Sequence, residues 1–168
     1  YIYHFPDGNA GVARALSIGT TFVLLGVALH LAGVAASGTV HPYLLGNWKA
    51  PFGIALALDR LSALMLVLTA VVAIASVLYA RGGGARGAHD AQGLHYHALF
   101  QFQLMGLNGA FLTADLFNLF VFFEVLLIAS YVLMVHGQGA ERFRVGLHYV
   151  VLNLAASALF LIGVSLLY

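Results

Sequence analysis

One stretch decides the fold, the apolar run LFNLFVFFEVLLIASYVLMV from Leu116 to Val135. Its length matches the roughly 20 residues that an α-helix needs to cross the hydrocarbon core of a bilayer. Glu124 is the one charged residue within it. The run therefore predicts a transmembrane helix that carries an acid in its interior.

Similar apolar runs occupy most of the remaining chain. Hydrophobic residues make up 62% of the 168 residues and charged residues 8%, whereas soluble domains carry about 25% charged residues. The runs are continuous rather than alternating, which disfavours a transmembrane β-barrel. The sequence predicts an all-α, single-domain polytopic membrane protein, a bundle of about five transmembrane helices. The predicted helices cover about residues 15–36, 54–80, 94–113, 116–135 and 147–168. The second is expected to start in the membrane interface, before residue 61.

The basic residues predict how the bundle is oriented. If the connections alternate sides of the membrane, one side collects Arg14, Arg81, Arg86, Arg142 and Arg144. The opposite side collects only Lys49 and Arg60. The positive-inside rule places the more basic side in the cytoplasm, so we expect the first helix to start there.

Composition also limits the possible partners and cofactors. A net charge of +1 gives no reason to expect a nucleic-acid partner, and the absence of cysteine excludes disulfides and thiolate metal sites. His89, Asp90, His95 and His97 lie close together in sequence, but their loop lacks the fixed spacing of a metal site. We therefore expect no cofactor and no metal. The chain begins at Tyr1 and stops within an apolar run, which predicts a fragment of a longer protein.

Glu124 is the leading functional candidate. It lies roughly 10 Å from the start of its predicted helix at 1.5 Å per residue. An acid at the centre of a membrane helix costs about 2.5–3.5 kcal/mol on insertion scales and is a functional candidate by default. Burial favours the protonated form of a carboxyl, so such a group can carry a proton. The alternative is a structural carboxyl that a neighbouring helix satisfies.

Polar residues at helical spacing extend this hypothesis to the neighbouring helices. Each of three helices offers a polar stripe, and inward-facing polar groups can bond to one another or hold a file of water. The alternative interpretation of these polar residues is hydrogen bonding that only joins the helices. His148 is a possible relay base because histidine titrates near neutral pH. The candidate pathway residues are His97, Gln101 and Asn108 on the third helix, Tyr131 on the fourth, and Tyr149, Asn153 and Ser157 on the fifth.

Two other patterns predict packing. Gly19, Gly26 and Gly33 recur every seven residues on one face of the first helix, which would let another helix approach closely. Asp59 and Arg60 are adjacent and cannot face each other on a helix. We therefore expect each of them to have a separate partner or to reach water at the membrane interface.

Several segments together resemble the D-type subunits of the Mrp-type, or Pha-type, cation/proton antiporters. The most specific is FLTADLFNLFVFFE, from Phe111 to Glu124. The others are Gly53-Ile54 with Asp59, HYVVLN from His148 to Asn153, and SALF from Ser157 to Phe160. The resemblance extends from about residue 43 to the end. Many relatives have lysine at position 148 and glycine at position 114, where this chain has His148 and Ala114.

The resemblance implies a function and a larger protein. Members of this family, which are related to the antiporter-like subunits of respiratory complex I, have about fourteen helices in a pair of inverted repeats. This chain would correspond to helices two to six, and the key glutamate on the fifth helix would be Glu124. The implied function is exchange of protons for Na⁺ or K⁺ within a multisubunit complex of a bacterial inner membrane. A proton-pumping subunit of an NADH:quinone oxidoreductase and a non-transporting membrane scaffold remain as alternatives.

Overall fold

The computed structural model describes residues 8–48, 53–82, 94–135 and 140–167. The described residues form five helices and one short hairpin. The helices are α1 (Gly8–Ala35), α2 (Arg60–Gly82), α3 (Leu94–Leu112), α4 (Leu116–Val135) and α5 (Ala140–Leu167). The hairpin lies between α1 and α2 and consists of β1 (His41–Leu44), a 3₁₀ turn (Leu45–Asn47) and β2 (Ala55–Leu58).

The predicted helical bundle is confirmed, with differences at the helix ends. α4 has the predicted bounds, and α3 ends one residue earlier than predicted. α1 and α5 begin at Gly8 and Ala140, earlier than predicted, because a helix can continue into the polar interface where hydropathy no longer marks it. The prediction of helix from residue 54 is wrong, since residues 55–58 pair as a strand.

Four of the described helices, α1, α2, α4 and α5, are long and apolar enough to cross a membrane. α3 has 19 residues and carries histidine, glutamine and asparagine side chains along its length. It packs against α1, α2 and α4, and its residues His97, Gln101 and Asn108 are buried or partly buried. α5 packs mainly on α4. The chain is a multi-pass membrane protein.

Small residues pack α1 against α2. Ala28 and Ala35 of α1 are 1% exposed, and Ala63 and Ala70 of α2 are 2% and 0% exposed. These residues belong to one buried cluster with Leu66 of α2. Short side chains allow the helix backbones to approach closely, where van der Waals contact rather than water exclusion drives association in lipid.

The prediction that Gly19, Gly26 and Gly33 pack against a helix is wrong for the described residues. A methyl group added at any of them would meet no atom within 4 Å. The close approach is instead between α3 and α4, where a methyl on Gly106 would lie 2.7 Å from the backbone nitrogen of Leu126. Glycine spacing alone does not distinguish a packed helix face from an open one.

The hairpin joins the helix ends at one side of the bundle. β1 and β2 are antiparallel, with His41 opposite Leu58 and Leu44 opposite Ala55. The turn between α3 and α4 adds to the free edge of β2, where the amide of Ala114 donates to the carbonyl oxygen of Ala55 at 2.9 Å. This contact fixes the start of α4 and therefore the depth of Glu124.

Asp59 and Arg60 each have a separate partner. A carboxylate oxygen of Asp59 accepts a hydrogen bond of 2.6 Å from the backbone N–H of Ser62 and caps the start of α2. This backbone hydrogen bond holds the pKa of Asp59 below its usual value. The guanidinium of Arg60 donates to the carbonyl oxygen of Ala36 at 3.0 Å, placing a cation at the negative end of α1.

Candidate functional site

Glu124 lies in the interface between α4 and α5. The hydroxyl of Ser157 on α5 donates a hydrogen bond to Oε1 of Glu124. Both side chains are partly buried. The acid singled out from the sequence therefore has a polar partner on a neighbouring helix.

Aromatic pairs flank Glu124 on both sides along the same interface. Phe120, one turn before the acid, stacks on Phe160 with ring centroids 6.4 Å apart and an interplanar angle of 10°. Tyr131, two turns after it, meets Tyr149 edge to face at 5.4 Å and 83°. Along these contacts the residue numbers rise in α4 and fall in α5, so the two helices are antiparallel. The acid lies between the two aromatic pairs.

The other predicted residues of α5 lie along the same helix but bond locally. The amide of Asn153 donates to the carbonyl oxygen of Tyr149 at 3.0 Å. His148 is exposed, and its Nδ1 lies 2.9 Å from the carbonyl oxygen of Arg144. Neither side chain has a hydrogen bond to Glu124 within the described part of the chain. The structure thus brings Ser157 to the acid, with Tyr131 and Tyr149 two turns away.

The predicted stripe on α3 faces α1 at the level of Gln101. The side-chain amide of Gln101 donates to the backbone oxygen of Ser17 at 3.2 Å and to its hydroxyl at 3.1 Å. A longer contact of 3.5 Å reaches the hydroxyl of Thr21. Gln101 therefore bonds to α1, and no hydrogen bond joins it to Glu124 among the described residues.

Sequence reasoning did not single out Ser17, Thr21 or Asn118. Ser17 and Thr21 lie four residues apart and are 3% and 1% exposed, so they form a polar face inside an apolar helix. Asn118 is 8% exposed, and its amide donates to Asp115 at 2.8 Å. The spacing of the first pair and the polarity of Asn118 within an apolar run are the signals that could have identified them.

Asp115 caps the start of α4. One carboxylate oxygen accepts a hydrogen bond from the backbone N–H of Asn118 at 3.2 Å, and the other accepts from that of Phe117 at 3.4 Å. Such capping satisfies amide groups that otherwise lack partners at a helix start. The tight turn over residues 113–115 thus anchors the helix that carries the acid.

Metal-ligating side chains do not cluster in the described part of the chain. It includes no group of three His, Asp or Glu side chains that could hold a metal ion. His89 and Asp90, which the sequence places near His95 and His97, lie outside the described residues. The chemistry of the described site is therefore that of a single carboxyl with a hydroxyl partner in an apolar interface.

Comparison with known proteins shows what this chain is similar to. Residues 113–168, which include Glu124 and Ser157, match the membrane segment of the NADH:quinone oxidoreductase/Mrp antiporter family. Two solved structures share the fold, each at 30% identity. The first is the Mrp complex from Dietzia sp. DQ12-45-1b, with a TM-score of 0.85 over 95% of this chain and 30% of that chain. The second is an archaeal respiratory complex, the membrane-bound sulfane sulfur reductase, with a TM-score of 0.82 over 92% of this chain and 31% of that chain. Residues 113–168 are thus similar to this family of membrane subunits, and the described helices share the fold of both complexes.

The chain is also similar to the D-type antiporter subunits. It is 54% identical over 159 residues to the D-type subunit of a probable K⁺/H⁺ antiporter of Rhizobium meliloti, covering 92% of this chain and 29% of that protein. It is 47% identical over 165 residues to the corresponding Na⁺/H⁺ antiporter subunit of Bacillus subtilis, covering 98% and 33%. The chain thus spans about a third of the length of these relatives, and the predicted resemblance to the D-type subunits is confirmed.

Proposed function

We propose that this chain is part of a proton-translocating membrane subunit of a multisubunit cation/proton antiporter, and that Glu124 carries the proton. The observation that carries the proposal is the hydrogen bond from Ser157 of α5 to Glu124 of α4 inside an apolar interface. The chemistry is secondary transport with no covalent step, so the proposed role is that of a transporter subunit rather than an enzyme.

The interface suits reversible protonation. The hydroxyl of Ser157 can donate to the ionised carboxylate, and it can rotate to accept from the protonated acid. The flanking aromatic pairs put rings on both sides of the acid, and in such a low-dielectric interface the gain or loss of one proton changes the local electrostatics strongly. Asn153, Tyr131 and Tyr149 lie along the same interface and would carry the pathway away from the acid, with His148 as a possible relay base near the start of α5.

Three features support the proposed assembly and membrane. The relatives from Rhizobium meliloti and Bacillus subtilis are named as subunits of K⁺/H⁺ and Na⁺/H⁺ antiporters, and the Dietzia structure is of a complex. The proposed partners are therefore other antiporter subunits, protons and Na⁺ or K⁺, in a bacterial inner membrane. The distribution of arginine favours a cytoplasmic start of α1 under the positive-inside rule.

Replacement of the carboxyl tests the proposal. Glu124→Gln in the full-length protein, assembled in its complex, removes the titratable proton and keeps the side-chain size. We expect loss of Na⁺- or K⁺-driven proton movement in membrane vesicles at unchanged expression and assembly. Glu124→Asp retains a carboxyl and should keep measurable activity. Full antiport by Glu124→Gln would overturn the assignment and favour a non-transporting scaffold.

A redox-driven proton pump is the second candidate. Two observations favour it. The matched family includes NADH:quinone oxidoreductase subunits. The archaeal membrane-bound sulfane sulfur reductase, which is a respiratory complex, matches this chain with a TM-score of 0.82. The same carboxyl would serve both functions. Purified full-length complex separates them, because an antiporter exchanges cations for protons without an electron donor, whereas a redox pump moves protons only during electron transfer.

A further inference from the structure

Two buried polar atoms lack a hydrogen-bond partner among the described residues, and both belong to α3. They are Nδ1 of His97 and Oδ1 of Asn108. The His97 residue as a whole is 8% exposed. An unsatisfied buried polar group costs about 1–3 kcal/mol, so each of these atoms needs a partner beyond the described side chains.

The two atoms lie on one face of α3 with Gln101 between them. At 3.6 residues per turn, His97, Gln101 and Asn108 point within roughly 40° of one another. They span roughly 16 Å along the helix, about half the thickness of the hydrocarbon core. Since Gln101 bonds to Ser17 and Thr21, this face of α3 is turned towards α1 at that level.

A groove opens beside His97 at one end of this face. It measures about 260 Å³ and lies between α1 and α3; its lining is mostly apolar, and His97, Gln101, Ser17 and Thr20 are the polar residues beside it. One water molecule needs about 10–15 Å³ by a comparable measure, so the groove has room for several. Water also suits the neighbouring atoms, because it can donate to Oδ1 of Asn108 and either donate to or accept from Nδ1 of His97.

We infer that a file of water enters at the groove beside His97 and runs between α1 and α3 past Gln101 to Asn108. This file is separate from the interface between α4 and α5 that holds Glu124. The face contains histidine and amides but no carboxylate, so it offers neutral hydrogen-bonding groups for water. A role for the file in delivering protons rests on the proposed antiport function. The presence of water between α1 and α3 does not depend on that function.

Thiol labelling tests hydration directly, because only a hydrated thiol ionises and reacts. The sequence contains no cysteine. Thr20→Cys at the groove and Asn108→Cys at the far end are introduced into the full-length protein in its complex, with any cysteines elsewhere replaced. The probe is 2-sulfonatoethyl methanethiosulfonate, which does not cross membranes, added to either side. Phe22→Cys is the matched control, because Phe22 lies at similar depth on the opposite face of α1 and is 51% exposed.

We expect Thr20→Cys to react at least tenfold faster than Phe22→Cys, and Asn108→Cys to react more slowly than Thr20→Cys but faster than the control. Adding His97→Phe should slow the labelling of Asn108→Cys at least fivefold, because the ring removes a hydrogen-bonding group and fills space at the entrance. Labelling of Thr20→Cys at the control rate would show that the groove is not hydrated. Labelling confined to Thr20→Cys would show that water does not continue from the groove to Asn108. None of these rates depends on antiport, so failure of the file is distinguishable from failure of the proposed function.

Discussion

The hydroxyl of Ser157 on α5 donates a hydrogen bond to the carboxylate of Glu124 on α4. This contact joins residues 33 positions apart and places the acid in an interface between two antiparallel helices. A substitution at Ser157 therefore changes the environment of Glu124 and leaves the carboxyl itself in place.

Removing the hydroxyl should weaken transport without abolishing it. A hydrogen bond to a charged group contributes about 1.5–3 kcal/mol, so Ser157→Ala should lower the antiport rate of the full-length protein roughly tenfold or more. Ser157→Thr keeps a hydroxyl and is the control. Residues that act through one contact are not additive, so Ser157→Ala should add little to the loss caused by Glu124→Asp, which shortens the side chain that accepts the hydrogen bond. Independent, multiplicative losses in vesicle assays would contradict the coupling.

A methyl group at Gly106 should separate α3 from α4. The added atom would lie 2.7 Å from the backbone nitrogen and 2.9 Å from the Cα of Leu126, and neither can rotate away. Gly106→Ala should therefore destabilise the protein by about 1–3 kcal/mol, the usual cost of overpacking, as measured by thermal unfolding in detergent. Gly26→Ala is the matched control, since a methyl there meets nothing within 4 Å. Equal stability of the two variants would refute the close approach.

A second carboxylate at position 118 should disrupt the start of α4. The buried amide of Asn118 donates to Asp115 at 2.8 Å and to the carbonyl oxygen of Gly53 at 3.4 Å. Asn118→Asp would set an acceptor against these two acceptors, so it should lower stability by more than Asn118→Ala, for which we expect about 1–3 kcal/mol. Asn153→Ala removes an amide that bonds only within its own helix among the described contacts and should change stability little. Chemical denaturation in detergent checks the order of the three variants.

Acid should remove the cap that Asp59 provides to α2. The pKa of Asp59 is lowered from 3.8 by the backbone hydrogen bond from Ser62. A lowered pKa in the folded state means that the ionised cap stabilises the fold above pH 3.8 and that this stabilisation is lost as the pH falls through the lower, folded-state value. Asp59→Asn caps without titrating, so the acid side of its stability profile should be flatter than that of the native protein. Parallel profiles of melting temperature between about pH 2 and 7 would contradict this role.

Much of the helical architecture follows from the sequence because lipid leaves few alternatives. A backbone in hydrocarbon must satisfy its own hydrogen bonds, so an apolar run of about 20 residues becomes a helix. This is why α4 has its predicted bounds. The tight turn before it and the cap by Asp115 were also predictable, since both depend on local chemistry.

The hairpin between α1 and α2 could not be predicted in the same way. Pro42 and Gly46 indicate breaks in helix, but they do not show that residues 41–44 pair with residues 55–58. The turn between α3 and α4 also bonds to β2 from a distant part of the chain. Strand pairing across such a separation leaves no periodic signal in either strand.

The sequence by itself determined that the chain forms membrane helices and that Glu124 is the acid among them, because both follow from the cost of placing polar groups in hydrocarbon. Only the tertiary structure decided which helices meet. It joined Ser157 to Glu124, turned Gln101 towards Ser17, and left the regular glycines of α1 without a described neighbour while Gly106 makes the close contact. Helical periodicity identifies a polar or small face, but the direction of that face depends on rotations and crossings that all the packed side chains determine together.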